Sequence, residues 1–268
     1  MFEIPMIRVD QKEYLERLQK GEFFMRSSLY YQTLEDTDVA RSDPYDGAIP
    51  SDKPTGFPFS EIGISDITKP RIMMGHTFIK CFFYYNQTDC HQLQNGVYLL
   101  AMTADARNAL SDFSSSYALI ILKPSQLVAQ VSLACQEEAL KLWYSEVEYL
   151  PSEEMEQKGI EIVTGQSRLH PVFYKNRVFE SQQEFRFCVK SPYKHISELK
   201  ILNGIEYQTI DLDAKDETFT LNIGSLESIS CIIPMSEMLK YPVVVDTNNK
   251  DVSFFREVDY EKIEAQRG

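Results

Sequence analysis

The residues whose types and spacing best suit chemistry lie late in the chain, in Glu180-Ser-Gln-Gln-Glu-Phe-Arg-Phe187. Alternation over Gln182–Val189 predicts a strand with Phe185, Phe187 and Val189 on one face. Gln182, Glu184 and Arg186 then fall on the other. Facing water, they form an ordinary Glu–Arg ladder. Facing a cleft, the carboxylate can stabilise a cationic transition state while the arginine holds an anion or orients that carboxylate.

Two further places offer polar chemistry. Arg41-Ser-Asp-Pro-Tyr-Asp-Gly47 is ordinary turn text, since Asp before Pro or Gly bonds nearby amides. As a functional loop it would present Arg41 to a phosphate, or Asp43 and Asp46 to a divalent metal. In that case Arg41 matters more for binding than for folding. Arg8 interrupts the apolar run Met6–Val9. It sits either at an edge facing solvent or buried against a carboxylate or a ligand phosphate.

Familiar catalytic signatures are missing. No phosphate-cradling glycine loop, nucleophile elbow or H-E-x-x-H helix is present. A zinc site on His76, Cys81, Cys90 and His91 has no C-x-x-C pair to anchor it, so no metal is expected. The five cysteines (81, 90, 135, 188, 231) have no framework spacing and are expected to be free thiols.

The elements that must position these residues follow from the rest of the 268-residue text. Strands are predicted at Met6–Val9, Glu22–Tyr31, His76–Tyr85, Gly96–Met102, Tyr117–Leu122 and Leu142–Tyr149. Others fall near Thr218–Ile223, Ile229–Ile233 and Val243–Val245. Helices are predicted after an Asp10 cap, with Tyr14, Leu15 and Leu18 as the apolar stripe, and at Ala104–Phe113, Pro124–Ala129 and Met235–Leu239. About 35–70 reads as a long polar loop. The stretch 150–165 reads as an acidic, solvated connector, because 144–162 carries six Glu against one Lys. The whole predicts one α+β domain over 1–268, with a mostly antiparallel or mixed sheet and a few short helices.

Bulk composition narrows the partners. Lys and Arg number 27 against 40 Asp and Glu, a net charge of −13, which argues against an extended duplex-DNA footprint. No apolar run approaches the roughly 20 residues of a membrane span, and the N-terminus lacks a signal-peptide core. A cytoplasmic protein that does not enter membranes is expected.

In order, the segments resemble a bacterial domain family of unknown function. Its pattern is an early loop with paired acids, a Cys-Phe-Ser strand, a Val-x-Tyr strand, Lys followed by Glu-x-Glu-aromatic-Arg, and an Ile-Gly segment. Here the matches are Asp43-Pro-Tyr-Asp46, Cys81-Phe-Phe83, Val147-Glu-Tyr149, Lys175 with Gln182-Gln-Glu-Phe-Arg186, and Ile223-Gly224. Phe83 replaces the Ser, and Gln182 replaces the first Glu.

The same order is also similar to that of ADP-ribosyltransferases, with Arg8 on the early strand and Gln182-Gln-Glu184 on the late one. Ser27-Ser28-Leu-Tyr-Tyr31 or Cys81-Phe-Phe83 takes the middle place. The resemblance implies an effector or toxin of bacterial–phage conflict, with NAD as substrate and a protein or nucleic acid as acceptor. It makes Glu184 and Gln182 catalytic, and Arg8, Ser27, Tyr31, Arg41 and Arg186 substrate-binding. Glu184→Gln would then abolish activity at a cost of only ~1 kcal/mol, as for a partly exposed ion pair.

Two rivals are a non-catalytic acidic protein that engages a basic partner, and a metal-dependent nuclease using Asp43, Asp46 and Glu184. Geometry separates them: the enzyme needs Arg8, Tyr31 and Glu184 around one concave pocket, and the binding protein does not.

Overall fold

A computed structural model of the chain describes residues 4–32, 49–50, 71–72, 77–85, 89–113, 115–163, 170–190, 196–202, 205–210 and 216–260. The first half runs β1 (Met6–Asp10), α1 (Lys12–Gln19), β2 (Glu22–Ser27), α2 (Ser28–Gln32), β3 (Ile49–Pro50), β4 (Arg71–Ile72) and β5 (Thr77–Tyr84). Then come β6 (Cys90–Gln94), β7 (Val97–Leu100), α3 (Ala104–Ser111), β8 (Tyr117–Ile121) and α4 (Pro124–Glu137). The second half holds β9 (Leu142–Glu146), β10 (Glu148–Leu150), α5 (Ser152–Val163), β11 (Tyr174–Asn176), β12 (Glu184–Lys190), β13 (Ile196–Leu202) and β14 (Ile205–Ile210). It closes with β15 (Thr218–Asn222), β16 (Ser230–Pro234), α6 (Met235–Lys240), β17 (Val243–Asp246) and β18 (Asp251–Phe254). The fold is α+β.

The main sheet has eight antiparallel strands, and its centre forks. β12 pairs with β5 along Thr77–Phe83 and carries β9 on its far side. The opposite edge of β5 is shared by two strands. β2 takes Phe78 and Ile79, with β15 beyond it, and β1 takes Phe83 and Tyr84, with β8 and β16 beyond it. Between the two contacts, Lys80, Cys81 and Phe82 have no strand partner on that edge among the described residues, so β1 and β2 splay apart.

Apolar alternation places one core on each face. On one side Leu15 and Leu18 of α1 and Leu127, Val131 and Ala134 of α4 cover Met6, Phe23, Phe82, Phe185 and Phe187. The helical spacing of those aliphatics is what makes the two helices amphipathic. Phe187 packs edge-on against both Phe23 and Phe185, with centroids 5.3 Å apart in each pair. On the other side α3, α6 and the four-stranded sheet β18-β17-β7-β6 cover Ile7, Phe83 and Ile120.

Several local expectations need correction. Gln11, not Asp10, holds the N-cap position of α1, with no side-chain capping bond, because Asp10 ends β1 and turns its carboxylate to Arg8 and the Gln11 amide. Tyr14 is 52% exposed rather than part of the buried stripe. α4 runs on to Glu137, well past Ala129, because its buried stripe continues through Val131 and Ala134. The strand predicted over Glu22–Tyr31 ends at Ser27, where α2 begins.

The acidic stretch is not a bare connector. α5 occupies Ser152–Val163, with Glu153 and Glu154 in its first turn, where the helix dipole favours carboxylates, and Met155 buried. Of the long polar loop, only the β3–β4 pairing of Ile49–Pro50 with Arg71–Ile72 is among the described residues.

Gly21 makes the tight turn from α1 into β2. Its φ is +104°, and an added Cβ would lie 2.5 Å from the Gly224 carbonyl oxygen. Its own carbonyl accepts the Ile223 amide at 3.0 Å, tying the end of β15 to this turn. Gly21→Ala meets both backbone strain and a backbone clash, so it should cost about 2 kcal/mol or more. A melting curve checks this, and an unchanged midpoint would contradict the packing described.

Candidate functional site

The fork opens into a cavity of about 440 Å³. Its walls come from β1, α1, β2, α2 and the unpaired middle of β5, and Lys175 of β11, Gln182 of the turn that follows it and Glu184 of β12 reach it from the far side. Arg8 spans the gap, with Nη1 donating to the Cys81 carbonyl at 3.0 Å and Nη2 donating to Asp10 at 3.3 Å. Lys80 spans it the other way, donating from Nζ to the Phe24 carbonyl at 3.1 Å. The backbone carbonyl left open at Cys81 thus finds a side-chain donor in place of a neighbouring strand.

Glu184 opens β12 and is held on three sides. Lys175 donates to Oε1 at 2.9 Å, and Arg186 Nε donates to Oε2 at 2.7 Å. The Glu184 amide donates to the Tyr149 hydroxyl at 2.8 Å. β10 and β11 pair in parallel with Tyr149 opposite Lys175, so one small sheet supplies both partners. Arg186 is anchored in turn, donating from Nη1 to the Val172 carbonyl at 2.8 Å. Each Glu184 oxygen keeps one lone-pair direction after these bonds, and the carboxylate is 11% exposed, toward the cavity.

Gln182 joins by a different route from the one predicted. It closes the 3-10 turn Arg177–Gln182 rather than lying on the strand, and Gln183 follows at φ +42°, breaking the alternation. That left-handed residue swings the chain so that Gln182 Oε1 accepts from Lys175 at 2.7 Å. Gln182 and Glu184 therefore meet on one ammonium.

The electrostatics follow from this packing. Burial works against charge on Glu184, but Arg186 and then Lys175 outweigh it and hold the carboxyl well below its usual range. It is a fixed anion, unsuited to proton transfer near neutrality and suited to accepting hydrogen bonds. Such a group adds stability in full above the unfolded value of roughly 4.3, and the contribution is lost as pH falls through the folded one. Between about pH 5 and pH 2, Glu184→Gln should therefore lose less stability than the wild type; urea midpoints across that range check it. Equal losses would mean that the pairing is not formed in solution.

Lys80 is perturbed the opposite way. Burial, and then Arg8, brings its ammonium down to about 7. The cysteines are all free, and burial pushes Cys90 and Cys135 to about 11 and Cys188 to about 12, so none of these three is poised as a thiolate.

Arg8, Tyr31, Gln182 and Glu184, drawn from distant parts of the chain, all line the one cavity. Two other predicted binding residues do not. Ser27 is fully buried beside Phe78 and away from the cavity, because β2 turns its side chain inward there. Arg186 is fully buried behind Glu184, so it positions the carboxylate and does not face a ligand. Arg41, with Asp43 and Asp46, lies outside the described residues. Sequence reasoning did not single out Lys80, Tyr149 or Lys175 as site residues. The signal for Lys80 was there, a lone lysine in the aromatic run Phe78–Phe83.

Comparison with known proteins adds no relative. No family model matches the chain, and neither a curated protein nor a solved structure matches it significantly. Among the described residues no helix is long and apolar enough to cross a membrane, and no group of three His, Cys, Asp or Glu is placed to hold a metal.

Proposed function

We propose that the cleft binds NAD and cleaves its ribosyl–nicotinamide bond, passing the ADP-ribosyl group to an acceptor. The observation that carries this reading is the convergence of Arg8, Tyr31 and Glu184 on one concave cavity beneath a forked sheet. The bond to nicotinamide breaks with its electron pair leaving on the pyridine nitrogen, and positive charge spreads over ribose C1 and the ring oxygen. The acceptor then bonds to C1 and gives up its proton to solvent.

Glu184 serves that step as a fixed carboxylate that accepts from a ribose hydroxyl and sets negative charge beside the developing cation. Lys175 and Arg186 keep it ionised and aimed, and Gln182 stands where the acceptor or its neighbour would pass. A nuclease reading fits Glu184 poorly, since two buried cations already balance its charge and would repel a divalent metal placed beside them. Placement in bacterial–phage conflict as an effector or toxin rests on the family resemblance alone.

The test is incubation with NAD labelled in its adenylate half and a bacterial lysate. Nicotinamide release with label transfer supports the reading. Its absence across lysates, with the protein binding a lysate partner instead, favours the acidic binding protein.

A further inference from the structure

Lys80 occupies an unusual position for an ammonium. It is 8% exposed, lies 5.3 Å from the centre of the Phe23 ring, and has the Phe24 carbonyl as its hydrogen-bond acceptor. Among the described residues no carboxylate lies within ion-pair distance of it. Burying a cation without a counter-ion is costly unless something else supplies the negative charge. Arg8 shares the cavity, and its Nε is buried without an acceptor among the described residues.

The lining as a whole holds five cationic side chains against three carboxylates, in a protein whose net charge is −13. Aromatic surface stands beside these cations. Tyr14 and Phe24 are exposed, and the Arg26 guanidinium lies 4.2 Å over the Tyr30 ring.

We propose that Lys80 and Arg8 form an anion subsite for the phosphate groups of a nucleotide, whose base stacks on the aromatic wall of Tyr14, Phe24 and Tyr30. This rests on the cleft being a ligand site, as in the NAD reading, and assigns Lys80 the specificity for a charged ligand. Alternation puts Lys80 on the face of β5 opposite that of Phe83 and its cross-strand partner Glu184, so the gap itself joins the two. The nucleotide's phosphates and its reacting sugar then lie at separate ends of the cavity.

The subsite is sensitive to pH. A bound phosphate favours the charged amine, so binding takes up a proton and affinity falls as pH rises above about 7. Asp10 of β1 and Cys81 of β5 favour the charged form, whereas Arg8 opposes it. Around the same cavity, β2 adds Glu22 and Arg26, α1 adds Arg17 bound to Glu22, and α2 adds Tyr30 and Tyr31. β12 sets apolar Phe187 across from Lys80.

ADP-ribose is the probe, because its diphosphate diester does not titrate near neutrality, with adenosine as the uncharged control. Calorimetry near pH 6 and near pH 8.5 should show ADP-ribose binding about 10-fold tighter at the lower pH, with proton uptake greater at the higher one, and adenosine weaker at both. Lys80→Met should lose about 10-fold in affinity near pH 6 and flatten the profile. Lys80→Arg should keep the affinity and also flatten it.

The Met variant should also melt higher than the wild type, by a margin that narrows as pH rises from about 7. If it fails to fold, the Arg variant and the wild-type profile decide. Wild-type affinity and pH profile in a folded Lys80→Met protein, or no preference of the wild type for ADP-ribose over adenosine, overturns the subsite. ADP-ribose binding of the expected kind without NAD cleavage overturns the enzyme reading alone. NAD cleavage with an unchanged KM in Lys80→Met overturns the subsite alone.

Discussion

Arg186→Ala should cost about 3–5 kcal/mol, the largest loss of stability expected from any single change at this site. Arg186 is wholly buried, and its guanidinium bridges Glu184 Oε2 and the Val172 carbonyl. Removing it leaves that carbonyl without its donor and Glu184 facing Lys175 alone, and opens a void in the middle of β12 between β5 and β9. Arg186→Lys should recover little, because one ammonium cannot reproduce two bonds in diverging directions. Urea unfolding of both variants checks this. A loss under about 1 kcal/mol for the Ala variant would show that the guanidinium is not the clamp described.

Glu184→Gln should slow NAD cleavage by about 10²–10³, the range found when one preorganised electrostatic group is removed. The structure revises the expected price in stability. The pair is not partly exposed: Lys175 is 3% and Arg186 0% exposed, and a neutral amide offers one acceptor where the carboxylate offered two and no charge to balance these buried cations. The cost is therefore about 3 kcal/mol rather than ~1. Activity must be compared at a temperature where both proteins are folded, as judged by circular dichroism. Adding Lys175→Met should restore part of the stability, by removing the ammonium left unbalanced, and should restore none of the activity. Recovery of activity in the double variant would show that charge balance, not the Glu184 carboxylate, drives the reaction.

Local pattern carried much of the fold. The alternation of Phe185, Phe187 and Val189 announced a core face, and the Leu15–Leu18 spacing announced α1. Such signals are written residue by residue and survive in any context. The fork is different. It depends on β1 and β2 choosing opposite ends of the same edge of β5, a pairing between segments more than 50 residues apart that no window of sequence records. The site shared this split. Arg8 and Glu184 stood out by type and setting, whereas the reach of Gln182 depends on a left-handed Gln183, and the burial of Arg186 depends on what β9 and the Pro171–Phe173 turn lay over it. α5 does not show as a helix in the text because its four glutamates match its four apolar residues in number and only Met155 among the latter falls in its first half, where it packs with Leu150 and Tyr174.

The most direct test of the account is the initial rate of nicotinamide release from NAD, measured with the acceptor-containing lysate for the wild type and for folded Glu184→Gln. The cleft described here predicts steady release by the wild type and a rate about 10²–10³ lower for the variant. Equal rates in the two folded proteins, or no release by the wild type in any lysate, would contradict it.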